Sequence, residues 1–365
     1  MFLIVTRSFP PDLGGMQVLM GGLSEALVEH GPVKVFAYDF PNASTYDHKT
    51  SMNIERIKGI KIIRKYRKAN RVNDFINENS NIRAIFTDHW KSLELLKMDY
   101  LKKTKTFCLL HSKEINHEIG SSINKRIIQS TNKANFIIAN SNFTKELAIR
   151  IGINSSKVHV IFPGIKEPKI IENTYKNKAK QIFSTSSPKI ITVARLEKRK
   201  GHDKILMLVK NLKSKFPKLK YISIGSGGEE NSLLNLTNEL AIEKDVVFLK
   251  NINENLKLAL LAEADLFLMP SRIDKKSVEG FGISFMEAAS YGVCSIGGKD
   301  GGASDAINHN NTGLICDGNN LNSIYEAVID IFNDKKYLVF GESAKKFSED
   351  FYWHKVVKNY LKLIN

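Results

Sequence analysis

The chain has 365 residues, of which 42% are hydrophobic and 25% are charged. At about 150 residues per domain, this length predicts two soluble globular domains that need no metal ion or disulfide bond to build a core. The formal net charge is +16. Such an excess of Lys and Arg favours an anionic partner and excludes a long acidic, disordered chain.

Cys108, Cys294 and Cys316 are the only cysteines, and none forms a C-x-x-C pair. The sequence therefore predicts reduced thiols in a cytoplasmic protein and disfavours a disulfide framework or a zinc ribbon. Residues 1–7 are too short an apolar run for a signal peptide, and no run approaches the roughly 18–20 residues that span a bilayer. We expect a protein that can touch a membrane but does not cross one.

Short runs of Ile, Val, Leu and Phe alternate with amphipathic helical patterns along the chain. This alternation predicts an α/β protein with parallel sheets covered by helices on both faces. The polar stretch 166–188 is predicted to link two α/β halves. The predicted strands are 1–6, 33–38, 60–63, 82–86, 106–110, 135–139, 158–161, 189–194, 219–224, 246–249, 264–268 and 293–297.

Gly14 and Gly15 follow the first predicted strand. A Gly-Gly turn at a helix N-terminus lets backbone N–H groups approach an anion closely, although a simple tight turn has the same pattern. The chain has no Walker A motif, and 225–228 lacks the last glycine of a dinucleotide fingerprint. Kinases, P-loop NTPases and NAD enzymes are therefore disfavoured.

Arg195 and Lys200 flank a turn after the predicted strand 189–194. Ligands of doubly wound sheets bind at this edge, where an Arg fork and a Lys point charge suit a diphosphate. A solvated basic loop is the alternative interpretation. His111 follows the strand 106–110, at the corresponding edge of the first half. Its position fits a residue that contacts the ligand, and it also fits a histidine with a structural role.

Glu279 and Glu287 lie eight residues apart around the turn Gly280-Phe281-Gly282. The turn exposes backbone N–H groups and a helix N-terminus, which favour phosphate or sugar oxygens. Carboxylates beside such a turn accept hydrogen bonds from the vicinal hydroxyl groups of a ribose or a hexose. A single capping or surface carboxylate would be unremarkable, but the pair around this turn favours a binding site.

Together these motifs resemble the family 4 glycosyltransferases (GT4), retaining enzymes of the GT-B fold, over nearly the whole chain. The Glu279–Glu287 pair is similar to the E-x7-E signature of that family. The resemblance implies two Rossmann-like doubly wound domains that face each other across a cleft. It assigns 1–166 to acceptor binding, 167–345 to donor binding, and 346–365 to a helix that crosses back to the first domain.

The resemblance also implies the role of each site residue. His111 and Glu279 are the implied catalytic residues, with Glu279 expected mainly to bind the donor sugar. No D-x-D-type cluster ends a strand, so we expect no metal ion or other cofactor, and a UDP-sugar as co-substrate. The implied contacts are Gly14, Gly15, Arg195 and Lys200 for the diphosphate, and Glu279, Phe281, Gly282 and Glu287 for the sugar and ribose.

A basic stretch interleaved with isoleucines in the first half predicts binding to an anionic membrane surface. Its basic residues are Arg56, Lys58, Lys61, Arg64, Lys65, Arg67, Lys68 and Arg71. We therefore expect an enzyme at the inner face of the cell membrane that moves a hexose to a lipid, with diacylglycerol as the first choice. Glucose is the default sugar, and Arg272, Lys275 and Lys276 would suit the carboxylate of glucuronic acid.

Other functions stay open at this point. A cell-surface polysaccharide or a polyprenyl-linked oligosaccharide is the main alternative acceptor. An epimerase or phosphorylase would use the same fold, although a phosphorylase needs a longer chain. A basic nucleic-acid-binding protein is a distant alternative, because no helix-turn-helix or RRM pattern is present.

Overall fold

Two parallel β-sheets organise the computed structural model, which describes all residues from Met1 to Asn365. Each sheet belongs to its own unit. Unit 1 comprises Met1–Lys166 and Phe351–Asn365, and unit 2 comprises Glu167–Asp350. The predicted α/β architecture with two doubly wound parallel sheets is confirmed. No helix combines the length and the apolar character needed to span a membrane.

Unit 1 contains a sheet of seven parallel strands in the order β3-β2-β1-β4-β5-β6-β7. The central strands are buried along their whole length because helices cover both faces of the sheet. The strands are β1 (Phe2–Val5), β2 (Val33–Tyr38), β3 (Asn53–Ile57), β4 (Ala84–Thr87), β5 (Lys105–Leu110), β6 (Phe136–Ala139) and β7 (Val158–Val160). The helices are α1 (Gly15–Val28), α2 (Ala43–Asp47), α3 (Lys61–Glu78), α4 (Trp90–Glu94), α5 (Met98–Leu101), α6 (Ser112–Ile115), α7 (Ser122–Thr131) and α8 (Asn142–Arg150).

The strand order of this sheet reverses between β1 and β4, which pair directly, with Ile4 opposite Phe86. Connections leave these two strands in opposite directions, so their carboxyl ends border a crevice where ligands of doubly wound sheets bind. Arg7 follows β1 at this edge, and Asp88 follows β4.

The predicted strand 60–63 is wrong, because α3 begins at Lys61. Ile62 and Ile63, which suggested a buried strand, are 71% and 52% exposed. The true third strand, β3, was missed because it lies at the sheet edge and has only two apolar residues, Ile54 and Ile57, among three polar ones. An edge strand of this kind lacks the continuous apolar run on which the prediction relied.

Unit 2 contains six parallel strands in the order β10-β9-β8-β11-β12-β13, and here the order reverses between β8 and β11. The strands are β8 (Lys189–Val193), β9 (Lys220–Ile224), β10 (Val246–Leu249), β11 (Leu266–Met269), β12 (Ser295–Gly298) and β13 (Gly313–Cys316), of which only β13 was not predicted. The helices are α9 (Asn173–Phe183), α10 (His202–Leu212), α11 (Glu230–Glu239), α12 (Glu254–Glu263), α13 (Ile283–Ser290), α14 (Ala303–Ala306), α15 (Leu321–Phe332) and α16 (Lys336–Ser348).

The stretch 166–188 is not a free linker. It contains α9, which packs against α12 and buries Ala179 and Phe183 one helical turn apart. Tyr175, Ala179, Ile182 and Phe183 follow the i, i+4, i+7, i+8 spacing of a helix, so the periodic signal was present. The many polar residues of the stretch outweighed it in the prediction. The three cysteines are unpaired and buried, and burial raises their pKa values to about 12.

The C-terminal helix α17 (Trp353–Ile364) belongs to unit 1. The segment that joins unit 1 starts at Phe351, later than the predicted 346, because α16 continues to Ser348 within unit 2. Backbone hydrogen bonds from Ile165 N to Phe351 O (2.8 Å) and from Trp353 N to Ile165 O (3.1 Å) hold its start.

Two glycines make room for the indole of Trp353. A Cβ atom on Gly22 would lie 2.0 Å from Trp353 Nε1, and one on Gly164 would lie 2.4 Å from Trp353 Cδ2. Gly22 lies in the interior of α1, where Ala would otherwise be the better helix former by about 1 kcal/mol. The close approach of the indole therefore requires glycine at this position.

We expect Gly22→Ala to loosen α17 although it raises helix propensity, because overpacking costs about 1–3 kcal/mol and outweighs that gain. The measurement is amide hydrogen exchange of α17 in the full chain, which should be faster in the variant. Gly15→Ala is the matched control, since no atom lies within 4 Å of the added Cβ. Equal exchange in both variants would contradict this packing account.

Candidate functional site

In unit 2, the loops after β8 and β11 meet at the reversal of strand order. After β8 the chain forms a short 3-10 turn, Lys198–Lys200, and α10 starts after Gly201. Gly201 has φ 79°, and a Cβ atom there would lie 2.5 Å from the carbonyl oxygen of Pro270. Glycine thus allows the two loops to touch, which brings the cations of the first loop into the crevice.

Two cations of this turn converge on Glu279. Arg199 Nη1 lies 2.7 Å from Glu279 Oε2, and Lys200 Nζ hydrogen bonds to the same oxygen. Burial alone would raise the pKa of Glu279, but Lys200 and Arg199 together lower it to about 2. Glu279 is therefore a carboxylate at neutral pH, although only 8% of the residue is exposed.

This geometry favours a binding role for Glu279 over proton transfer. A carboxylate with so low a pKa is a weak base, and both of its cationic partners hydrogen bond to Oε2. Oε1 can then accept a hydrogen bond from a ligand hydroxyl group. Glu197 fixes Arg199 from the other side, at 2.9 Å from Nε.

The predicted diphosphate contacts differ in exposure. The side chain of Arg195 is 69% exposed, and its Nη1 lies 3.2 Å from Glu197 Oε1. Lys200 is buried against Glu279, and burial lowers its pKa. Arg199, which sequence reasoning did not select, forms the ion pair expected of a site residue. Its position beside Lys200 in the same basic motif was the signal that could have found it.

A buried histidine holds the backbone of Arg195 in place. His202 Nε2 donates a hydrogen bond to the carbonyl oxygen of Arg195 at 3.3 Å, and its Nδ1 lies 3.1 Å from the hydroxyl group of Tyr221. Burial lowers the pKa of His202 to about 4, so the ring is neutral at pH 7. His202 therefore positions the loop that carries Arg195.

The turn before α13 is built as the sequence predicted. Gly282 has φ 90°, a left-handed conformation that favours glycine, and α13 starts directly after it. Gly302 N donates to the carbonyl oxygen of Glu279 at 3.0 Å and fixes the turn from outside. Phe281 is 1% exposed, so only its backbone can contact a ligand.

Glu287, the second predicted carboxylate, lies on α13 and pairs with Lys257 of α12 at 3.3 Å. Lys257 also contacts Glu254 at 2.9 Å. Burial lowers the pKa of Lys257, but the two carboxylates outweigh burial and raise it. Lys257 gave no sequence signal, because a single lysine on a helix does not reveal its partner.

Arg272 is largely buried and pairs with Asp203. Its side chain is 6% exposed, and its Nη2 contacts both carboxylate oxygens of Asp203, at 2.9 and 2.7 Å. Its Nη1 is buried without a hydrogen-bond partner. Because Asp203 uses only one nitrogen of the guanidinium, the role of Arg272 toward the carboxylate of glucuronic acid stays a prediction.

In unit 1, the glycine loop forms the predicted strand-to-helix turn. Gly14 has φ 152° and precedes α1, whose first-turn N–H groups have no partners within the helix. Space around Gly15 is open, since a Cβ there would meet no atom within 4 Å. The turn can therefore receive an anion at the helix N-terminus.

Arg56 was predicted to bind a membrane, and this prediction is wrong. Its side chain is 8% exposed and forms two hydrogen bonds to Asp47, at 2.7 and 3.0 Å. A further bond of 2.5 Å reaches the carbonyl oxygen of Pro10. Arg56 therefore stabilises the loop that precedes Gly14 through its contact with Pro10. The sequence pattern alone does not distinguish a buried arginine of this kind from an exposed one.

His111 follows β5, as predicted. Its Nε2 donates a hydrogen bond to the backbone carbonyl of Asp88 at 3.2 Å, which leaves Nδ1 as an acceptor in the neutral ring. His111 is half-buried. The structure therefore places it beside the loop after β4, at the edge where the strand order reverses.

A buried polar network surrounds Asp88 and was not predicted. Asp88 Oδ1 accepts from the Ser92 hydroxyl group at 2.6 Å, and Oδ2 accepts from Arg7 N at 2.9 Å. Lys68 Nζ donates to Thr6 O at 2.9 Å and to Ser92 Oγ at 3.0 Å. Lys68 is 3% exposed, so its predicted membrane contact is also wrong.

His89 and Glu114 complete this network. Lys91 N donates to His89 Nδ1 at 2.9 Å, so the ring proton is on Nε2, which donates to Glu114 Oε2 at 2.7 Å. Burial lowers the pKa of His89 and raises that of Glu114. Asp88, His89 and Arg7 could have been found from their places directly after β4 and β1.

Two family models match the chain. Residues 13–167 match "Glycosyltransferase Family 4", and residues 173–349 match "Glycosyl transferases group 1". The chain belongs to the family 4 glycosyltransferases. This confirms the resemblance given by the E-x7-E pair, and it confirms that the protein is a glycosyltransferase.

Related proteins of similar length support this membership. The chain is 25% identical over 346 residues to a GDP-mannose-dependent alpha-(1-6)-phosphatidylinositol monomannoside mannosyltransferase of Mycolicibacterium smegmatis, which covers 92% of this chain and 90% of that protein. It is 24% identical to a GDP-mannose-dependent monoacylated alpha-(1-6)-phosphatidylinositol monomannoside mannosyltransferase of Corynebacterium glutamicum, over 91% of this chain and 88% of that protein.

Among solved structures, Anabaena Alr3699/HepE in complex with UDP resembles the chain with a TM-score of 0.82 and 17% identity. The similarity covers 100% of this chain and 99% of that one. The fold is therefore that of the GT-B glycosyltransferases. The roles of the individual site residues stay predictions that follow from the geometry above.

We expect Glu279→Gln to destabilise unit 2 by about 3 kcal/mol, because it leaves Arg199 and Lys200 buried without their carboxylate. The pKa of Glu279 is about 2 in the folded protein, against an ordinary value of 4.5. The stabilisation is thus complete above pH 4.5 and is lost as the pH falls toward 2. Hydrogen exchange of α13, measured at pH 7 and at pH 4, checks both expectations.

Glu254→Gln is the matched control for this experiment, because Glu254 is 64% exposed in the same unit. Combining Glu279→Gln with Lys200→Met removes one buried cation and should restore part of the lost protection. Unchanged exchange of α13 in Glu279→Gln would show that the ion pairs do not support this turn.

Lys68 gives unit 1 a pH-dependent stability. Burial, with Arg7 and Arg64 adding to it, lowers the pKa of Lys68 from 10.5 to about 7. Between these values the unfolded chain binds more protons, so stability rises with pH by up to about 1.4 kcal/mol per pH unit. Below pH 7, Lys68 is protonated in both states and contributes no slope.

The measurement is urea unfolding between pH 6 and 9, followed by tryptophan fluorescence. The two tryptophans, Trp90 and Trp353, both lie in unit 1 and report on its unfolding. Between pH 7 and 9, the increase of the free energy of unfolding with pH should be smaller in Lys68→Met. It should persist in Lys65→Met, which alters an exposed residue of the same helix. Identical slopes in the two variants would contradict the lowered pKa.

Proposed function

We propose that the protein transfers a hexose from a nucleoside-diphosphate sugar to the hydroxyl group of a lipid, at an anionic membrane surface on the inner face of the cell membrane. The convergence of Arg199 and Lys200 on Glu279 carries the donor part of this proposal. It supplies a fixed carboxylate for sugar hydroxyl groups beside the exposed, cationic side chain of Arg195.

The charges suit the departure of a diphosphate. Breaking the bond between the anomeric carbon and the phosphate oxygen places negative charge on the leaving group, and preorganised cations and N–H groups stabilise that charge. In the proposed reaction the acceptor oxygen bonds to the anomeric carbon, and its proton passes to the leaving phosphate. Attack on the face from which the diphosphate departs retains the anomeric configuration.

The predicted roles fit this reaction. Arg195, Lys200 and the amides of Gly14 and Gly15 are assigned to the diphosphate, and Glu287 to the ribose. His111 is assigned to the donor sugar near the reacting carbon. The reaction as proposed uses no metal ion or other cofactor.

The nucleotide is UDP in our first proposal. Solved GT-B neighbours were obtained with UDP or UDP-glucose, which supports UDP-glucose as the donor. Two relatives matched over about nine-tenths of the chain are named as GDP-mannose-dependent, which supports GDP-mannose as the second candidate. UDP-glucuronate is the third candidate, supported by the unpartnered Nη1 of Arg272, whose Nη2 is bound to Asp203.

The acceptor proposal rests on an exposed apolar and basic surface at the start of α3. We call Lys58, Ile60, Lys61, Ile62, Ile63, Lys65, Tyr66 and Arg67 the α3 surface. Ile60 is 67% exposed, Ile62 71%, and Tyr66 50%. Each basic residue near an anionic membrane contributes about 1 kcal/mol, and isoleucines that enter the interface add to this attraction.

A lipid acceptor follows from a surface of this kind. Relatives named for phosphatidylinositol mannoside acceptors support it further. Diacylglycerol is the first lipid that the sequence suggested. A soluble polysaccharide precursor would not need exposed isoleucines at the start of α3.

The test is sugar transfer by the purified enzyme with UDP-glucose or GDP-mannose. Vesicles would contain diacylglycerol and phosphatidylglycerol, and products would be detected by mass spectrometry. We expect a glycolipid only in the presence of vesicles and its loss in Glu279→Ala. Sugar transfer to a soluble glycan but not to vesicles would replace the lipid acceptor with a polysaccharide.

The variant Lys61→Gln/Lys65→Gln tests the α3 surface in the same assay. It removes about 2 kcal/mol of membrane attraction, so vesicle binding should weaken about 30-fold. Lys345→Gln/Lys346→Gln removes the same charge from exposed positions of α16 and should bind vesicles like the parent. Equal weakening in both variants would indicate a general charge effect rather than a surface for membranes.

A further inference from the structure

We propose that Arg7 and Arg64 bind a phosphate group of the acceptor, so that the acceptor is a phosphate-bearing lipid rather than diacylglycerol. This inference rests on the proposed lipid glycosyltransferase function and narrows its acceptor. The two arginines come from the loop after β1 and from α3, beside the reversal of strand order in unit 1.

The ring of Tyr38 holds two cations of α3 together. Arg64 Cζ lies 4.1 Å from the ring centroid, and Lys68 Nζ lies 4.6 Å from it. Tyr38 ends β2, which pairs with β1 in the sheet, and Arg7 follows β1. Arg7 and Arg64 therefore lie near the carboxyl ends of two neighbouring strands.

Both arginines, Arg7 and Arg64, have a hydrogen-bond donor that no other group of the protein accepts. The Nε atoms of Arg7 and Arg64 are buried without a hydrogen-bond partner. Arg56, in the same unit, instead directs its Nε and Nη2 to both oxygens of Asp47. Because a buried unpaired donor costs free energy, we interpret the Nε atoms as placed for an anion.

The carboxylates nearby do not reach the Nε atoms of the two arginines. The oxygens of Asp88 accept hydrogen bonds from Ser92 and from Arg7 N. Glu114 is bound by His89 at 2.7 Å and lies 3.4 Å from Nη2 of Arg7. Arg64 forms no ion pair with a carboxylate. A phosphate would satisfy the Nε edge of each guanidinium.

The surroundings fit a phospholipid or a polyprenyl phosphate rather than a free anion. Asp88, which contacts Arg7, also accepts the hydrogen bond of His111, so the phosphate site adjoins the histidine assigned to the reacting carbon. In the opposite direction, α3 leads from Lys68 and Arg64 to the exposed Ile62 and Ile63. A bound lipid would then have its phosphate at Arg64, its hydrocarbon chains at Ile62 and Ile63, and its reacting hydroxyl group near His111.

The first measurement is calorimetric binding of sn-glycerol 3-phosphate and of inorganic phosphate to the full-length enzyme. We expect glycerol 3-phosphate to bind about tenfold more weakly, or worse, to Arg64→Gln, because a charge-assisted hydrogen bond is lost. Arg64→Lys should recover part of the affinity. Arg150→Gln, an exposed arginine of the same unit, should bind like the parent.

The second measurement compares lipids in sugar transfer. Neutral carrier vesicles would contain diacylglycerol, phosphatidylglycerol, phosphatidylinositol or a polyprenyl phosphate. We expect Arg64→Gln to raise KM about tenfold for the phosphate-bearing acceptor, while the KM for the nucleotide sugar stays unchanged. Melting followed by circular dichroism confirms that each variant is folded.

The outcomes separate the two proposals. Transfer to no lipid, with glycerol 3-phosphate binding still lost in Arg64→Gln, would overturn the lipid function and leave the phosphate site. Equal glycerol 3-phosphate binding by Arg64→Gln and the parent would overturn the site. Faster transfer to diacylglycerol than to every phosphate-bearing lipid would also overturn it, as would tighter binding of inorganic phosphate than of glycerol 3-phosphate.

Discussion

The buried charged side chains of both candidate sites find their partners on neighbouring loops, which the reversal of strand order brings together. In each sheet, two adjacent strands send their connections in opposite directions, so the loops at their carboxyl ends meet. Burying an unpaired charge costs several kcal/mol, which ties these loops to one another. The site geometry of both units follows from this constraint.

The two units meet the constraint differently. In unit 2, the cations Arg199 and Lys200 from the loop after β8 pair with Glu279, so the charge is balanced within the fold. In unit 1, Asp88 offsets the burial of Lys68 only in part, since the pKa of Lys68 is still lowered to about 7, and Arg64 has a tyrosine ring instead of a carboxylate. Both edges also retain buried polar atoms without a partner, Nε of Arg7 and Arg64 in unit 1 and Nη1 of Arg272 in unit 2.

The sequence predicted what depends on local pattern. Buried parallel strands are continuous apolar runs, so 33–38 and 246–249 were predicted with their observed bounds. The turn at Glu279 was predictable because its glycine and its carboxylate lie close together in the chain. The network around Asp88 was not, because its members come from the segments after β1 and β4 and from α3, and they meet only through the order of strands.

The basic stretch shows why burial was harder to predict than composition. Its residues have similar spacing and charge, yet Lys68 is 3% exposed and Ile62, six positions earlier, is 71% exposed. Helical periodicity gives the face of a residue but not its depth along the helix axis. The buried residues of α3 begin at Lys68, and the turns before it are largely exposed. A single amphipathic helix can therefore hold a charge inside the fold at one end and present isoleucines and lysines to a membrane at the other.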